Sequence, residues 1–371
     1  MQQHRLKVII SGGGTGGHIF PAIAIAEMLK QKDPGTEILF VGAKGRMEME
    51  KVPDAGFRIE GLWISGLQRR LTLKNLSFPF KLLSSLLEAR KIIRQFEPDV
   101  AVGTGGYASG PTLRMASAAG IPCLIQEQNS YPGITNRLLA KKAEKICVAY
   151  EGMEKYFPAE KIILSGNPVR SDILKPKINR KEASGFFDLD PEKSIVLIVG
   201  GSQGARAIND GIKNKLHVFV KNNIQLIWQC GKHSYDEIRQ SASEYEGKGI
   251  RVLEFIRRMD MAYAAADLVI SRAGAIAISE LCIAGKACIF VPLPTAAEDH
   301  QTKNAISLVK ENAALIVKNI EAVNMLAETA TALVQNPKRM KELQDNIQKM
   351  ARPDATHVIA EEVTKLAGGK K

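Results

Sequence analysis

The stretch Val8–His18, with the sequence VIISGGGTGGH, joins a short apolar run to a glycine-rich turn that opens a helical pattern. The same design returns in the second half of the chain at Val196–Arg206, VLIVGGSQGAR. A strand that ends in a glycine turn and leads into a helix is the first unit of a Rossmann-like domain. Because the same pattern occurs twice with different residues, the sequence predicts an α/β protein with two Rossmann-like domains.

Around these two turns, short apolar runs alternate with amphipathic stretches, a pattern typical of parallel α/β sheets covered by helices. The apolar runs predict strands at Val8–Ser11, Glu37–Val41, Asp99–Val102, Cys123–Ile125, Ile195–Val199, Leu268–Ser271 and Ile289–Val291. Each predicted strand ends in a polar or glycine-rich loop. Parallel sheets bind ligands at this edge, so we expect the functional residues in these loops.

Prolines that interrupt a polar stretch predict a linker between the two halves, at Pro168, Pro176 and Pro191. We therefore expect one Rossmann-like domain over residues 1–166 and a second over 167–352. A helical pattern near the C-terminus suggests that the segment 353–371 packs back on the first domain.

Composition excludes several classes of protein. The chain has 371 residues, of which 45% are hydrophobic and 24% charged, which excludes a disordered or fibrous chain. Its apolar stretches are shorter than the ~18 residues of a membrane-spanning helix. The five cysteines form no C-x-x-C pair, so we expect reduced, buried thiols in a cytosolic protein. The net charge of +12 points to an anionic partner: nucleic acid, a membrane surface or a phosphorylated substrate.

The first glycine turn, residues 12–18, suggests a phosphate-binding loop but fits neither of two common types. A dinucleotide site needs an acid at the end of the second strand, which here ends Phe40-Val41-Gly42-Ala43. A P-loop needs a lysine that this turn lacks. A second glycine loop, GTGGYASGP at 103–111, follows a neighbouring strand. Two such loops favour a cleft for a phosphorylated ligand; the alternative is two tight turns.

Three further features could carry chemistry. His18, directly after the first glycine turn, could accept a proton from a hydroxyl, or could simply pack against the turn. Glu280 lies in an apolar helical stretch, where a ribose diol or a salt bridge would satisfy its carboxylate. The D-x-D stretch Asp188–Asp190 resembles a metal site, but its position before Pro191 favours a solvated turn.

Six motifs in order resemble the MurG family of family 28 glycosyltransferases, the N-acetylglucosaminyltransferases of peptidoglycan synthesis. They are GGGTGGHIFPA (12–22), GTGGYASGP (103–111), QEQNSYPGITNRLLAK (126–141), GNPVR (166–170), GGSQGAR (200–206) and SRAGAIAISEL (271–281). The resemblance implies the GT-B fold, in which two Rossmann-like domains with parallel sheets face a deep cleft. It also implies an inverting transfer of GlcNAc from UDP-GlcNAc to the C4 hydroxyl of MurNAc in lipid I, which gives lipid II.

The resemblance also implies roles for individual residues. The implied donor contacts are Thr15, Gly16, Gly17, Asn129, Arg170, Ser202, Ile256 through its backbone, Ala275, Ile276, Glu280 and Gln301. We expect the acceptor diphosphate at Gly14, Gly105, Gly106 and Tyr107. An inverting transfer needs a base for the acceptor hydroxyl, for which His18 is the first candidate and Glu127 the second. Helix N-termini and an arginine can stabilise the departing UDP, so we expect no cofactor and no metal.

Two positions depart from the family pattern. Ala277 stands where a threonine is common, and His300-Gln301 stands where two glutamines are common. Two other functions remain open: a different GT-B enzyme, such as a UDP-sugar epimerase or glycolipid glycosyltransferase, and a basic binding protein without enzymatic activity. The second and third motifs disfavour the former, and no nucleic-acid-binding motif supports a nucleic-acid partner.

Half of the excess positive charge falls in one segment. Residues 62–96 hold seven basic residues and one acid, Glu88, or +6 of the net +12. Apolar residues alternate with the basic ones, a pattern typical of an interfacial membrane contact; the alternative, for residues 81–94, is an amphipathic helix on the core. We expect contact with an anionic membrane through about residues 69–83. A peripheral location on the cytoplasmic face of the bacterial inner membrane follows, where cell-wall synthesis proteins are possible partners.

Overall fold

The structure is a computed structural model that describes residues 5–66, 77–169, 173–174, 178–201, 203–245 and 247–369. The chain divides into two compact units. Unit 1 comprises Met1–Val169 and Pro353–Lys371, and unit 2 comprises Arg170–Arg352. Each unit is built on one parallel sheet.

The strands of unit 1 are β1 (Lys7–Gly12), β2 (Glu37–Ala43), β3 (Arg58–Leu62), β4 (Val100–Gly105), β5 (Cys123–Glu127), β6 (Lys145–Val148) and β7 (Ile162–Leu164). Those of unit 2 are β8 (Ile195–Val199), β9 (Gln225–Gln229), β10 (Ile250–Leu253), β11 (Leu268–Ser271), β12 (Ala287–Phe290) and β13 (Leu315–Ile316). The predicted strands are all present, with ends that differ by up to three residues. The less apolar strands, such as β3 and β10, were not expected.

The described helices of unit 1 are α1 (Gly16–Lys32), α2 (Glu48–Asp54), α3 (Phe78–Phe96), α4 (Ser109–Ala118), α5 (Ile134–Leu139) and, at the C-terminus, α15 (Ala355–Gly368). Those of unit 2 are α6 (Arg180–Phe186), α7 (Arg206–Lys213), α8 (Leu216–Lys221), α9 (Tyr235–Ala242), α10 (Met259–Ala265), α11 (Ala275–Ala284), α12 (His300–Lys310), α13 (Ala322–Val334) and α14 (Pro337–Lys349). No helix within the described ranges is both long and apolar enough to cross a membrane.

The two sheets share one topology around their first strands. The order is β3-β2-β1-β4-β5-β6-β7 in unit 1 and β10-β9-β8-β11-β12-β13 in unit 2. In each sheet the chain runs outward in one direction, returns, and continues on the other side of the first strand. Such a point of reversal, between β1 and β4 or between β8 and β11, opens a crevice at the carboxyl ends of the strands.

The amino edges of the sheets repeat the same contacts. Asp99 precedes β4, and its carboxylate accepts the backbone N–H of Lys7 at 2.8 Å. Asp267 precedes β11, and its carboxylate accepts the backbone N–H of Ile195, also at 2.8 Å. In both places the N–H of the aspartate donates back to the carbonyl of that first-strand residue. The repeat that the sequence predicted therefore extends to individual hydrogen bonds.

The core of unit 1 has a layer on each face of the sheet. Alternate residues of a strand point to opposite faces, so Val8 and Ile10 enter one layer and Ile9 enters the other. The first layer includes α1 and the C-terminal helix α15, whose Ile359 and Val363 are fully buried. The helical pattern near the C-terminus thus marks a helix that covers the sheet of unit 1.

The stretch that we expected to be a linker contains a helix. α6 begins after Asn179, whose side chain caps the helix by accepting the N–H of Glu182 at 2.8 Å. Arg180 then forms two hydrogen bonds with the carboxylate of Asp267, at 2.6 and 2.9 Å, which tie α6 to the sheet of unit 2. The D-x-D stretch is an exposed turn around a buried Leu189, as predicted.

All five cysteines are buried and unpaired, as the sequence predicted. Burial raises the pKa of the Cys147 and Cys282 thiols to about 12. A thiol that stays protonated is a poor nucleophile and a poor metal ligand. The cysteines therefore belong to the core.

Candidate functional site

The two glycine loops of unit 1 lie in direct contact. The N–H of Gly13 donates to the carbonyl of Gly105 at 3.2 Å. A Cβ atom on Gly106 would lie 2.2 Å from the carbonyl oxygen of Gly13, so no side chain fits there. The φ angles of Gly105 and Gly106, +97° and +88°, also favour glycine. These close contacts explain part of the glycine content that suggested a phosphate site.

His18 lies beside these loops, and its hydrogen bonds fix its tautomer. Its Nδ1 lies 3.0 Å from Oε1 of Gln128. The amide nitrogen of Gln128 donates to the carbonyls of Thr104 and Gln126, at 2.8 and 3.2 Å, which orients the amide oxygen toward the imidazole. Because an amide oxygen only accepts, the proton of a neutral imidazole lies on Nδ1. The lone pair of Nε2 is then available to accept a proton.

A second contact holds the backbone of the same residue. The hydroxyl of Thr104, in β4, donates to the carbonyl of His18 at 2.8 Å. Gln126 extends the network, since its amide nitrogen donates to Asn167 at 2.9 Å and its amide oxygen bonds the amide nitrogen of Gln128. Buried polar groups from three strand ends thus position the imidazole.

Glu127, the second candidate base, is almost fully buried and its carboxylate is saturated. Oε1 accepts the backbone and side-chain N–H groups of Asn129, at 3.0 and 3.2 Å. Oε2 accepts the N–H of Gly133 and the amide of Asn136, at 3.1 and 2.9 Å. A carboxylate with four donors organises the loop after β5, including Asn129.

Tyr107 and the start of α1 complete this edge of unit 1. The Tyr107 side chain is 47% exposed, and its ring lies 3.9 Å from the position that a Cβ on Gly14 would take. Thr15 is the N-cap residue of α1, but its hydroxyl makes no capping bond. Gly16 and Gly17 form the first turn, where backbone N–H groups have no partner within the helix.

In unit 2, Glu280 lies on α11 and is 6% exposed. Its Oε2 accepts the hydroxyl of Tyr263, on α10, at 3.1 Å. A phenol can hold a buried carboxylate in place without neutralising it. The Tyr263 hydroxyl is thus one partner of this carboxylate within unit 2.

Ile256 follows β10, and its backbone is fixed by a buried amide. The N–H of Ile256 donates to Oε1 of Gln229, at the end of β9, at 2.8 Å. Because this bond uses the N–H of Ile256, the carbonyl is the backbone group that remains for a contact with a nucleobase.

The loops after β11 and β12 are also joined. Arg272 donates to the carbonyls of Val291 and Pro292, at 2.9 and 3.2 Å, and burial lowers the pKa of its guanidinium. Ala275 and Ile276 begin α11, so their N–H groups point to the carboxyl edge of the sheet. The side-chain oxygen of Gln301 accepts the N–H of Leu293 at 2.9 Å.

Two predicted site residues, Arg170 and Ser202, lie outside the described residues. The other candidates lie at the carboxyl edges of the two sheets. Within the part of the chain that the structure describes, no three His, Cys, Asp or Glu side chains are grouped as metal ligands would be.

Sequence reasoning missed several residues that support these sites. Gln128, Thr104 and Gln229 are buried polar residues at strand ends, a signal that could have been used. Glu48 accepts the N–H of Gly14 at 3.0 Å, and only the fold brings these two residues together.

Comparisons with known proteins point to one family for both halves of the chain. The family model described as "Glycosyltransferase family 28 N-terminal domain" matches residues 8–148, and the "Glycosyltransferase family 28 C-terminal domain" matches residues 195–359. A curated protein of Christiangramia forsetii is 54% identical over 98% of this chain and 99% of its own. A second, of Parabacteroides distasonis, is 52% identical over 99% of this chain and 100% of its own.

Both relatives carry the name UDP-N-acetylglucosamine–N-acetylmuramyl-(pentapeptide) pyrophosphoryl-undecaprenol N-acetylglucosamine transferase. Among solved structures, MurG of Acinetobacter baumannii superposes with a TM-score of 0.79 at 30% identity, over 98% of this chain and 100% of that one. The chain belongs to glycosyltransferase family 28, within the MurG family.

Proposed function

We propose that this chain transfers GlcNAc from UDP-GlcNAc to the C4 hydroxyl of MurNAc in lipid I, with inversion at the anomeric carbon, to give lipid II. The observation that carries the proposal is the 54% identity, over 98% of this chain, with a transferase of that name. The geometry of the two sheet edges supplies the chemical roles.

His18 activates the acceptor hydroxyl as the general base. The C4 hydroxyl donates its proton to Nε2 as its oxygen attacks the anomeric carbon of GlcNAc. The bond between that carbon and the UDP oxygen breaks on the opposite face, and UDP leaves with the electron pair. The imidazolium that forms donates through Nδ1 to the oxygen of Gln128, which stabilises it where the charge develops.

Glu127 takes a positioning role in this mechanism rather than that of the base. Its four donors occupy both carboxylate oxygens, and a proton transfer to it would disrupt the loop that holds Asn129. The resemblance implies that Asn129 contacts the GlcNAc. Glu127 therefore acts through the residue that it holds.

Most of the expected donor contacts are residues of unit 2. The first turn of α11, at Ala275 and Ile276, offers N–H groups and the positive end of the helix dipole to the UDP phosphates. Glu280 is held by Tyr263 with a carboxylate suited to the ribose diol. Gln301, whose oxygen is bound to Leu293, can offer its amide N–H groups to a sugar hydroxyl.

A membrane surface on unit 1 is the second part of the proposal. Three exposed residues, Phe80, Leu83 and Leu87, are 71%, 59% and 60% exposed and lie at helical spacing on α3. Lys91 and Arg94 are exposed along the same stripe. Apolar residues followed by cations fit an anionic bilayer surface. Residues 69–76 of the predicted patch lie outside the described residues.

The test of the reaction measures UDP release from UDP-GlcNAc with and without a soluble lipid I analogue. We expect release only with the analogue, together with a β-1,4-linked disaccharide product. Release without any acceptor would favour the epimerase or another GT-B activity. No release in a folded preparation that binds UDP would refute the proposal.

The test of the membrane surface measures binding to vesicles of anionic and of neutral lipid. Replacement of Phe80, Leu83 and Leu87 by serine should weaken binding to anionic vesicles and leave transfer to a soluble analogue unchanged. Equal binding to neutral vesicles would refute the electrostatic part.

A further inference from the structure

We propose that Glu48 is a positioning residue of the acceptor site. Its buried carboxylate holds the first glycine loop in place against the end of β2. The inference rests on the proposed function, because that function makes the loop part of the acceptor site. It is carried by contacts in unit 1 alone.

Glu48 is the first residue of α2 and is fully buried. Its Oε1 accepts the N–H of Ala43 at the end of β2, at 3.0 Å, and its Oε2 accepts the N–H of Gly14 at 3.0 Å. No cationic partner of Glu48 occurs among the residues described. A buried carboxylate without a cation is costly, so these two donors must hold it in a defined place.

The Glu48 side chain fills the space that two glycines leave. A Cβ atom on Gly13 would lie 2.2 Å from its Oε1, and a Cβ on Gly42 would lie 2.6 Å from its Cγ. A side chain at position 13 would therefore displace the carboxylate of Glu48.

On its other side, the same loop rests on the second glycine loop. Gly13 donates to Gly105, and Gly106 lies against the Gly13 carbonyl. Glu48 and the second loop thus clamp Gly13–Gly14 between them. α1 begins two residues later and carries His18, so the clamp sets where this helix starts.

The clamp also decides which N–H groups can bind an anion. The N–H of Gly13 is used by Gly105 and that of Gly14 by Glu48. The N–H of Gly14, where we expected the acceptor diphosphate, is therefore already bonded. The next N–H groups of the loop that can bind an anion are those of Thr15, Gly16 and Gly17, at the start of α1, which the resemblance assigns to the donor.

The experiment replaces Glu48 by glutamine in the full chain. The Gln side chain has one oxygen for two N–H groups, so its NH₂ group must oppose either Gly14 or Ala43. Asp99→Asn is the matched control, since Asp99 accepts an N–H of β1 at the opposite edge of the sheet. Gly13→Ala is a second variant, whose Cβ would displace the carboxylate of an intact Glu48.

Three readouts are compared: hydrogen exchange of the amides of residues 13–17, kcat/KM for a soluble lipid I analogue, and the Kd of UDP. For Glu48→Gln and Gly13→Ala we expect faster exchange and a fall in acceptor kcat/KM of about 100-fold, the scale of a ~1 Å misplacement. The Kd of UDP should not change, because the expected contacts with the nucleotide itself, such as Ile256 and Glu280, are in unit 2. Asp99→Asn should change neither exchange in the loop nor transfer.

The proposal is overturned if folded Glu48→Gln keeps the acceptor kcat/KM of the unaltered chain, or if Asp99→Asn lowers it equally. An unaltered chain without any turnover refutes the proposed function instead. In that case hydrogen exchange alone tests whether Glu48 holds the loop. Unchanged exchange of residues 13–17 in both Glu48→Gln and Gly13→Ala would overturn that role.

Discussion

Replacing Gln128 by leucine tests the claim that a buried amide sets the tautomer of His18, the histidine that we propose as the base. Leucine is close in volume to glutamine but cannot accept the Nδ1 proton of His18, 3.0 Å away in the structure. It also removes the two donors to the carbonyls of Thr104 and Gln126. Gln128 is buried, so water cannot readily replace these bonds.

The expected loss of rate follows from the charge that His18 acquires. A hydrogen bond to a charged group contributes about 1.5–3 kcal/mol. Because each ~1.4 kcal/mol corresponds to a tenfold change in rate, kcat should fall roughly 10- to 150-fold. Stability should fall by about 1–3 kcal/mol, since a buried carbonyl loses its partner.

The assay is single-turnover transfer to a soluble lipid I analogue at saturating UDP-GlcNAc, with urea unfolding to measure stability. His18→Ala and the double variant complete the cycle. If Gln128 acts only through the imidazole, the double variant should be no slower than His18→Ala. A Gln128→Leu variant with undiminished kcat, or a double variant slowed by the full product of the two effects, would show that the reasoning is wrong.

Three further changes probe other parts of the molecule. Tyr263→Phe removes the hydroxyl that holds Glu280. The Kd of UDP, measured by calorimetric titration, should rise by about two- to tenfold, which corresponds to the loss of one hydrogen bond. An unchanged Kd would contradict a contact between Glu280 and the ribose. Arg180→Met leaves the carboxylate of Asp267 without its bidentate partner, and urea unfolding of unit 2 should show a loss of about 2–3 kcal/mol, reduced from the fully buried value by partial exposure. Because burial raises the pKa of Cys282 to about 12, this thiol should resist iodoacetamide at neutral and mildly alkaline pH in the folded chain and react only after unfolding or as the pH approaches that value. Rapid labelling in the folded state at neutral pH would contradict its burial.

The fold was predictable wherever local sequence sufficed to form an element. β8 and β11 are continuous β-branched or apolar runs, and both occur where their pattern placed them. β3 was not predictable, because its charged residues Arg58 and Glu60 hide the apolar pattern, and a strand at the edge of a sheet tolerates charge. α6 was missed because prolines around it resemble a linker, while its ties to the sheet come from Asp267, distant in sequence.

The candidate site divides in the same way. His18, Glu127 and Glu280 stand out in the sequence because a titratable residue beside a glycine turn or inside an apolar helix needs a reason. Which of them is free to react could not be decided there. Four donors saturate Glu127, whereas the bond that Nδ1 of His18 donates to Gln128 leaves the other ring nitrogen available.

The sequence by itself determined the repeated strand–turn–helix unit, the edge of each sheet that carries the loops, and the family. Those properties depend on spacing and residue type within short segments. Only the tertiary structure decided what each glycine and each carboxylate does. Glu48 and Gly14 are neighbours because β1 and β2 pair side by side, and the packing between their loops leaves room for a carboxylate but not for a Cβ. Hydrogen bonds between residues far apart in the chain assign the roles, and no local pattern encodes them.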